Sequence, residues 1–262
     1  MKQKGFSLEI LTGSQFSNRG WTVIHQRIFY DQTENKSRYV DLAAHKLIEN
    51  ENGFFQKLNY TVIVECKKSD KPWIFYSPNT SYLIEERDLA ALNYIKMISR
   101  PSIAPKDFVS LFVDSHYFLK GPVDRTAQAG YVLFRKNAEE YDQIFAATNQ
   151  VVKALRFQRE SVLHSMKSGL INSLFVVYHP LIVFDGKLCE YSLDSNNEPK
   201  LTETTYLKYQ VDFLDLPQNP PEGFLIDVVT VDALPQYTVW LEEEMAKLAR
   251  VVQRNRKATP VR

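Results

Sequence analysis

The sequence has few cysteines, no long hydrophobic run and almost no net charge. Its two cysteines, Cys66 and Cys189, lie far apart in a chain of 262 residues, which favours reduced thiols over a disulfide framework. No apolar run approaches the roughly 18 to 20 residues needed to cross a bilayer. The charged N-terminus is not followed by the apolar region of a signal peptide. We therefore expect a cytoplasmic protein that does not enter the membrane.

The net charge of +1 excludes a general electrostatic attraction to nucleic acid, so any contact with DNA needs a local positive potential. The most basic segment is the C-terminal end, residues 250–262. Its composition favours a solvated helix end with a frayed tail over a phosphate-binding arm.

Several common catalytic motifs are missing. There is no glycine-rich phosphate loop and no Gly-x-Ser-x-Gly elbow. Cys66 has no histidine near it in sequence, which disfavours a cysteine nucleophile. The five histidines lack metal-ligand spacing and are interpreted as structural or surface residues, although strand alternation brings His45 towards the same side as Asp41. Trp73 and the aromatic residues after it are interpreted as core residues rather than a base-stacking platform.

Apolar residues make up 44% of the chain and aromatic residues 13%, enough for a substantial core. Near the N-terminus the pattern predicts one helix and three strands with short connections, which favour an antiparallel meander. These elements are the helix Ser7–Asn18 and the strands Trp21–Tyr30, Arg38–Ile48 and Leu58–Ser69.

The rest of the chain predicts further helices and strands without an internal repeat or a clear linker. We expect one elaborated α/β domain over residues 1–262, with a mixed central sheet flanked by helices, a core in 1–120 and an elaboration in 121–262. The predicted later elements are a helix Ser81–Arg100, a strand Lys106–Phe118, a helix Ala138–Lys167 broken near Arg156–Glu160, a two-residue hairpin turn at Asp185-Gly186, and a final helix Gln236–Arg256.

The third strand ends in an unusual way. Tyr60–Val64 is β-branched and aromatic throughout, as in a strand covered on both faces, yet Glu65, Cys66 and Lys67 follow directly. Strand alternation places Glu65 and Lys67 on one side and Cys66 on the other. Burying a carboxylate and an ammonium costs several kcal/mol unless partners compensate. The pattern therefore indicates either a structural ion pair or a metal site.

Asp41 on the preceding strand supplies a second carboxylate. Alternation places Val40 and Leu42 on one side of that strand and Asp41 on the other. Opposed residues on antiparallel strands have Cβ atoms about 4.5 to 5.5 Å apart, so Asp41 and Glu65 would be close enough to share a divalent cation. Acid-x-Lys triplets also occur at 34–36, 185–187 and 198–200, but only Glu65-Cys66-Lys67 combines a buried strand before it, an acid on the previous strand and an upstream helix with a carboxylate.

Asp41, Glu65-x-Lys67 and the helix bearing Glu9 together resemble the PD-(D/E)xK nuclease superfamily, the restriction-endonuclease-like fold. The resemblance covers about residues 5–100 and is nearest to the Mrr-type and Holliday-junction-resolvase-like branch, with Val40 in place of the proline. It implies that Asp41 and Glu65 bind Mg²⁺ or Mn²⁺, with Glu9 as a further ligand. It also implies that Lys67 orients or helps to deprotonate the attacking water.

The resemblance further implies an endonuclease that hydrolyses DNA in restriction, phage defence or DNA repair. The partners it implies are DNA, a helicase or sensor subunit, or a second copy in a homodimer. Two alternatives stay open: an incidental ion pair at the end of a strand, and a protein of the nuclease fold that binds nucleic acid or a partner without cleaving, or that is active only in a complex.

Overall fold

The computed structural model describes residues 6–49, 57–78, 95–99, 126–132, 142–166, 173–213 and 222–254. Over these residues the protein is mixed α/β with two mixed sheets, which confirms the predicted class. Within the same ranges, no helix has both the length and the apolar character required to cross a bilayer.

The described helices are α1 (Phe6–Ser17), α2 (Asp142–Met166) and α3 (Leu234–Arg254). The strands are β1 (Thr22–Asp31), β2 (Lys36–Glu49), β3 (Lys57–Lys68), β4 (Trp73–Tyr76), β5 (Ile95–Ser99), β6 (Thr126–Ala127), β7 (Ala129–Val132), β8 (Ser173–Asp185), β9 (Leu188–Leu193), β10 (Pro199–Glu203), β11 (Tyr206–Phe213) and β12 (Glu222–Thr230).

Over the described ranges the large sheet has eight strands, in the order β1-β2-β3-β8-β12-β11-β6, with β5 also paired to β8. The first three strands form the predicted antiparallel meander. Strand β3 then pairs in parallel with β8 along its whole length, from Lys57 opposite Leu174 to Lys68 opposite Asp185. Strands β4 to β7 and then α2 follow β3 in the chain before β8 returns alongside it.

Two hydrophobic cores cover the two faces of this sheet. Helices α1 and α3 pack on one face, where Phe16, Val62 and Leu241 are buried. Helix α2 and the four-stranded sheet β10-β9-β4-β7 pack on the other, where Ile63 and Leu155 are buried. Both faces of β3 are therefore covered, which explains its unbroken β-branched and aromatic sequence.

Two predicted helices differ from the structure within the described residues, which include only 95–99 of the predicted helix Ser81–Arg100. Ile95–Ser99, assigned from its spacing to the end of a helix, forms β5 against the first half of β8. Its short apolar run fits either element, and pairing with β8 decides the outcome. The predicted strand Lys106–Phe118 lies outside the described residues. Helix α2 continues without the expected break near Arg156–Glu160, because that stretch contains neither proline nor glycine.

The predicted hairpin at Asp185-Gly186 is wrong, because β8 and β9 belong to different sheets. The chain crosses between the sheets here, and Gly186 packs closely against its surroundings. A Cβ at Gly186 would lie 2.6 Å from the Ser69 carbonyl oxygen and 2.6 Å from the Phe184 ring. Glycine is therefore required at this position by close packing rather than by a two-residue turn.

Candidate metal and catalytic site

Strand β2 separates from β3 at Asp41. The pairing of the two strands ends at Leu42 opposite Val64. Beyond this point the backbone N–H of Cys66, on β3, donates to the side-chain oxygen Oδ2 of Asp41 at 2.6 Å rather than to a backbone carbonyl of β2. The Asp41 carboxylate is thus directed towards β3, which brings it to the strand end that carries Glu65.

A change of face in β1 and β2 explains this orientation. Val40 packs in the core beneath α2 whereas Leu42 packs in the core beneath α1, so the prediction that they share a side is wrong. The opposite position on β1, Gln26, has a φ of 49°, in the left-handed region that non-glycine residues rarely occupy. No pairing joins Gln26 to Asp41, although the residues on either side of each are paired. In both β1 and β2, the alternation of side chains between the two faces of the sheet is therefore shifted by one residue at Gln26 and Asp41.

Glu65 and Lys67 form the predicted pair, with Lys67 Nζ donating to Glu65 Oε1 at 2.6 Å. The Glu65 side chain is only 2% exposed and that of Lys67 is 29% exposed. Burial raises the pKa of Glu65 to about 7, and the charge of Asp41 adds to this increase while Lys67 opposes it. Burial alone would lower the pKa of Lys67, but Glu65 and Asp41 outweigh it and raise that pKa, so Lys67 is an ammonium at neutral pH.

The second carboxylate oxygen of Glu65 is a candidate ligand for a cation. Oε2 is buried and accepts no hydrogen bond of normal geometry from the described residues, although the backbone of Asp41 lies near enough to the Glu65 carboxylate to lower its pKa. Leaving a buried acceptor unsatisfied costs roughly 1 to 3 kcal/mol, and more for a charged group. A hard divalent cation prefers carboxylate oxygens, and Asp41 supplies a second one whose pKa is likewise raised by burial. The donor set therefore suits Mg²⁺ or Mn²⁺.

Helix α1 borders the site. The pKa of Glu9 is raised by partial burial and by the charge of Asp41, while Lys67 lowers it, so this carboxylate lies within the electrostatic reach of both. The Cys66 thiol approaches Thr12 Oγ1 at 3.6 Å. Across the described parts of the chain, however, no three His, Cys, Asp or Glu side chains form a group able to hold a metal ion. The assignment of Glu9 as a ligand stays a prediction.

The other residues that the sequence offered as functional candidates have structural roles. Both cysteines are free and buried, and burial raises the pKa of Cys66, which disfavours the nucleophilic thiolate. His45 Nδ1 lies 2.9 Å from Thr61 Oγ1, as in a structural hydrogen bond. Trp73 is fully buried against Phe184, with ring centroids 4.1 Å apart, so it cannot stack on bases.

A buried polar network elsewhere was not predicted. Asp227 on β12 is fully buried and accepts hydrogen bonds from Lys208, Tyr206 and Tyr237, while His179 Nε2 lies 2.7 Å from its Oδ2. These groups come from β8, β11, β12 and α3. No local sequence signal links them, because only the assembled sheet brings them together.

Comparison of the chain with protein-family models, with curated proteins and with solved structures finds no match.

Proposed function

We propose that the protein is a metal-dependent nuclease that hydrolyses DNA phosphodiester bonds at Asp41, Glu65 and Lys67. The observation that carries the proposal is the end of β3: Asp41 turns from β2 towards β3, next to a protonated Lys67 and a buried Glu65, one oxygen of which accepts no hydrogen bond of normal geometry from the described residues. Burying two carboxylates and one ammonium at a strand end costs several kcal/mol unless partners compensate. A cation together with a phosphate would supply those partners.

Asp41 and Glu65 are the residues that would hold the cation. When bound, a divalent cation supplies positive charge that polarises the phosphodiester and promotes ionisation of the attacking water. The Cys66 N–H fixes the Asp41 carboxylate in place. Lys67, whose ammonium is partly exposed, donates one hydrogen bond to Glu65 and keeps others for the phosphate. Since Lys67 is protonated, we assign it to offset charge on the phosphoryl oxygens rather than to act as a base.

The element order supports the finer fold assignment. The resemblance implies the order helix, meander, helix and strand, which the sequence placed within residues 1–120. Helix α1, the β1-β2-β3 meander, α2 and the parallel strand β8 give that order only when the intervening strands β4 to β7 are treated as an insertion, and α2 and β8 come from residues 142–185. Glu65 lies at the end of β3, and Asp41 lies on β2 where the two strands separate. A role in restriction, phage defence or DNA repair, alone or with a helicase or sensor subunit, is the biological setting that we propose.

Plasmid cleavage tests this function directly. Supercoiled plasmid incubated with the purified protein should be nicked or linearised in Mg²⁺ or Mn²⁺ and remain intact in EDTA, because the carboxylates need the cation to accommodate a phosphate. Gel electrophoresis separates the three plasmid forms. Cleavage that persists in EDTA would refute the metal-dependent mechanism, and an intact plasmid under every metal condition would refute hydrolysis by the protein alone.

A further inference from the structure

A cavity of about 300 Å³ lies between the N-terminal half of α2 and the end of β11. This volume is within the range of small-molecule sites in proteins. Strand β7 lines the cavity at Gly130, where a Cβ would lie 2.8 Å from Phe75 Cε1 and 3.1 Å from Ile144 Cγ2. Only glycine fits there, so α2 packs closely on β7 and fixes this side of the cavity.

Aromatic rings from two elements line the cavity. Tyr209 and Phe213 lie on β11, and Phe145 lies on α2, where it is 63% exposed. Phe75 packs edge-on against Tyr209, with ring centroids 5.1 Å apart. Phe224 packs edge-on against Phe213, with centroids 6.4 Å apart. Because packed neighbours hold both β11 rings in place, the cavity is preorganised for a flat apolar group.

Thr148 adds an unsatisfied hydroxyl to the cavity. The residue is 3% exposed, and its Oγ1 is buried without a hydrogen-bond partner among the residues that the structure describes. Leaving a buried hydroxyl unsatisfied destabilises a protein, so a ligand that bonds Oγ1 would recover this cost. Asn149, the next residue of α2, also lines the cavity and carries an amide that can donate and accept.

The charge around the cavity restricts the ligand. Asp212 is exposed, lines the cavity and forms no ion pair within the described ranges, so it repels anions and accepts hydrogen bonds. An adjoining cavity of about 250 Å³ contains Arg38 and Lys153, but both are already paired with Asp31. Among the described residues, neither cavity is lined by an unpaired cation that could hold a phosphate.

We propose that the cavity binds an uncharged nucleoside whose base carries an exocyclic amine. The base lies against the rings of Tyr209 and Phe213. Its amine donates to the Asp212 carboxylate, as the cytosine amine does to acidic side chains in base recognition. The Thr148 hydroxyl donates to a ring acceptor of the base. This site is separate from the end of β3 and does not depend on the proposed nuclease function.

Calorimetric titration with two matched pairs of nucleosides provides the test. Cytidine and uridine differ by an amine in place of a carbonyl, and so do adenosine and inosine. The amine-bearing member of at least one pair should bind the full chain with a Kd below about 1 mM and at least about tenfold more tightly than its partner. Asp212→Asn should abolish this preference, and the corresponding monophosphate should bind more weakly. Glu160→Gln, at an exposed position further along α2, should bind as the wild type does.

Two variants separate binding from folding. Thr148→Val should weaken nucleoside binding about fivefold, while the Tm without ligand stays the same or rises, because the variant removes an unsatisfied hydroxyl and keeps the shape of the side chain. A purely structural hydroxyl would lower the Tm instead. Phe145→Ala should weaken binding at least about fivefold with little change in Tm, since its ring is exposed. Absence of binding by both cytidine and adenosine at about 1 mM, or equal affinity within both pairs, would overturn the proposal.

Discussion

Replacing Glu65 by glutamine should reduce DNA cleavage by at least about a thousandfold. The change keeps the size of the side chain and removes the negative charge that the cation needs, so the loss reports on chemistry rather than on packing. Removing a single preorganised electrostatic contact in other enzymes costs about 10² to 10³ in kcat, and a metal ligand contributes at least as much. The measurement is the initial rate of plasmid nicking in Mn²⁺.

The chain offers a matched control for this variant. Asp185-x-Lys187 is a second acid-x-lysine triplet, at the end of the neighbouring strand β8. Asp185 pairs with Lys68 and Lys187 with Glu203, which leaves neither aimed at the proposed cation. Asp185→Asn should therefore cleave at close to the wild-type rate. Equal rates for Glu65→Gln and wild type would remove Glu65 from the mechanism.

Replacing Asp227 by alanine should lower the free energy of unfolding by about 3 to 5 kcal/mol. Lys208, which is only 2% exposed and lies 2.5 Å from Asp227, would be left as an uncompensated buried charge. Tyr206 and Tyr237 would lose their acceptor at the same time. Urea denaturation followed by circular dichroism measures the change, and Asp185→Asn at the exposed Lys68 pair should cost less than about 1 kcal/mol.

The Asp227 effect should also depend on pH. Burial alone would raise the pKa of Asp227, but Lys208 and His179 outweigh it and hold that pKa well below its usual range. A depressed carboxyl pKa contributes stability above about pH 4, the unfolded value, and loses it as pH falls towards the folded value. The difference between wild type and Asp227→Ala should therefore shrink in acid. An undiminished difference there would show that lost packing, not the ionised carboxylate, causes the destabilisation.

The sequence is most informative where the periodicity is local. The meander and the opposite sides of Glu65 and Cys66 follow from alternation along a β-branched strand, and the structure has both. Local periodicity does not predict contacts between segments that are distant in sequence. The strand Ile95–Ser99 depends on pairing with β8, and the role of Gly186 depends on Ser69.

The same distinction between local patterns and long-range contacts applies to the candidate site. Spacing, residue type and the resemblance predict a site at Asp41, Glu65 and Lys67, and the structure brings these residues together at the end of β3. The turn of Asp41 towards β3 was not predictable, because it depends on the left-handed backbone of Gln26 on another strand. For the same reason, simple alternation placed Val40 and Leu42 on one side, although the strand changes face between them.

Calorimetric titration with Mn²⁺ tests most directly whether Asp41 and Glu65 hold one cation. Wild type should bind one Mn²⁺ per chain, more tightly at pH 8 than at pH 6, because the raised pKa of Glu65, about 7, means that a proton must leave before the metal binds in acid. Asp41→Ala and Glu65→Gln should each weaken binding at least about a hundredfold. Lys67→Ala should retain the cation and lose only cleavage. Wild-type Mn²⁺ affinity in both carboxylate variants would contradict a metal site at this strand end.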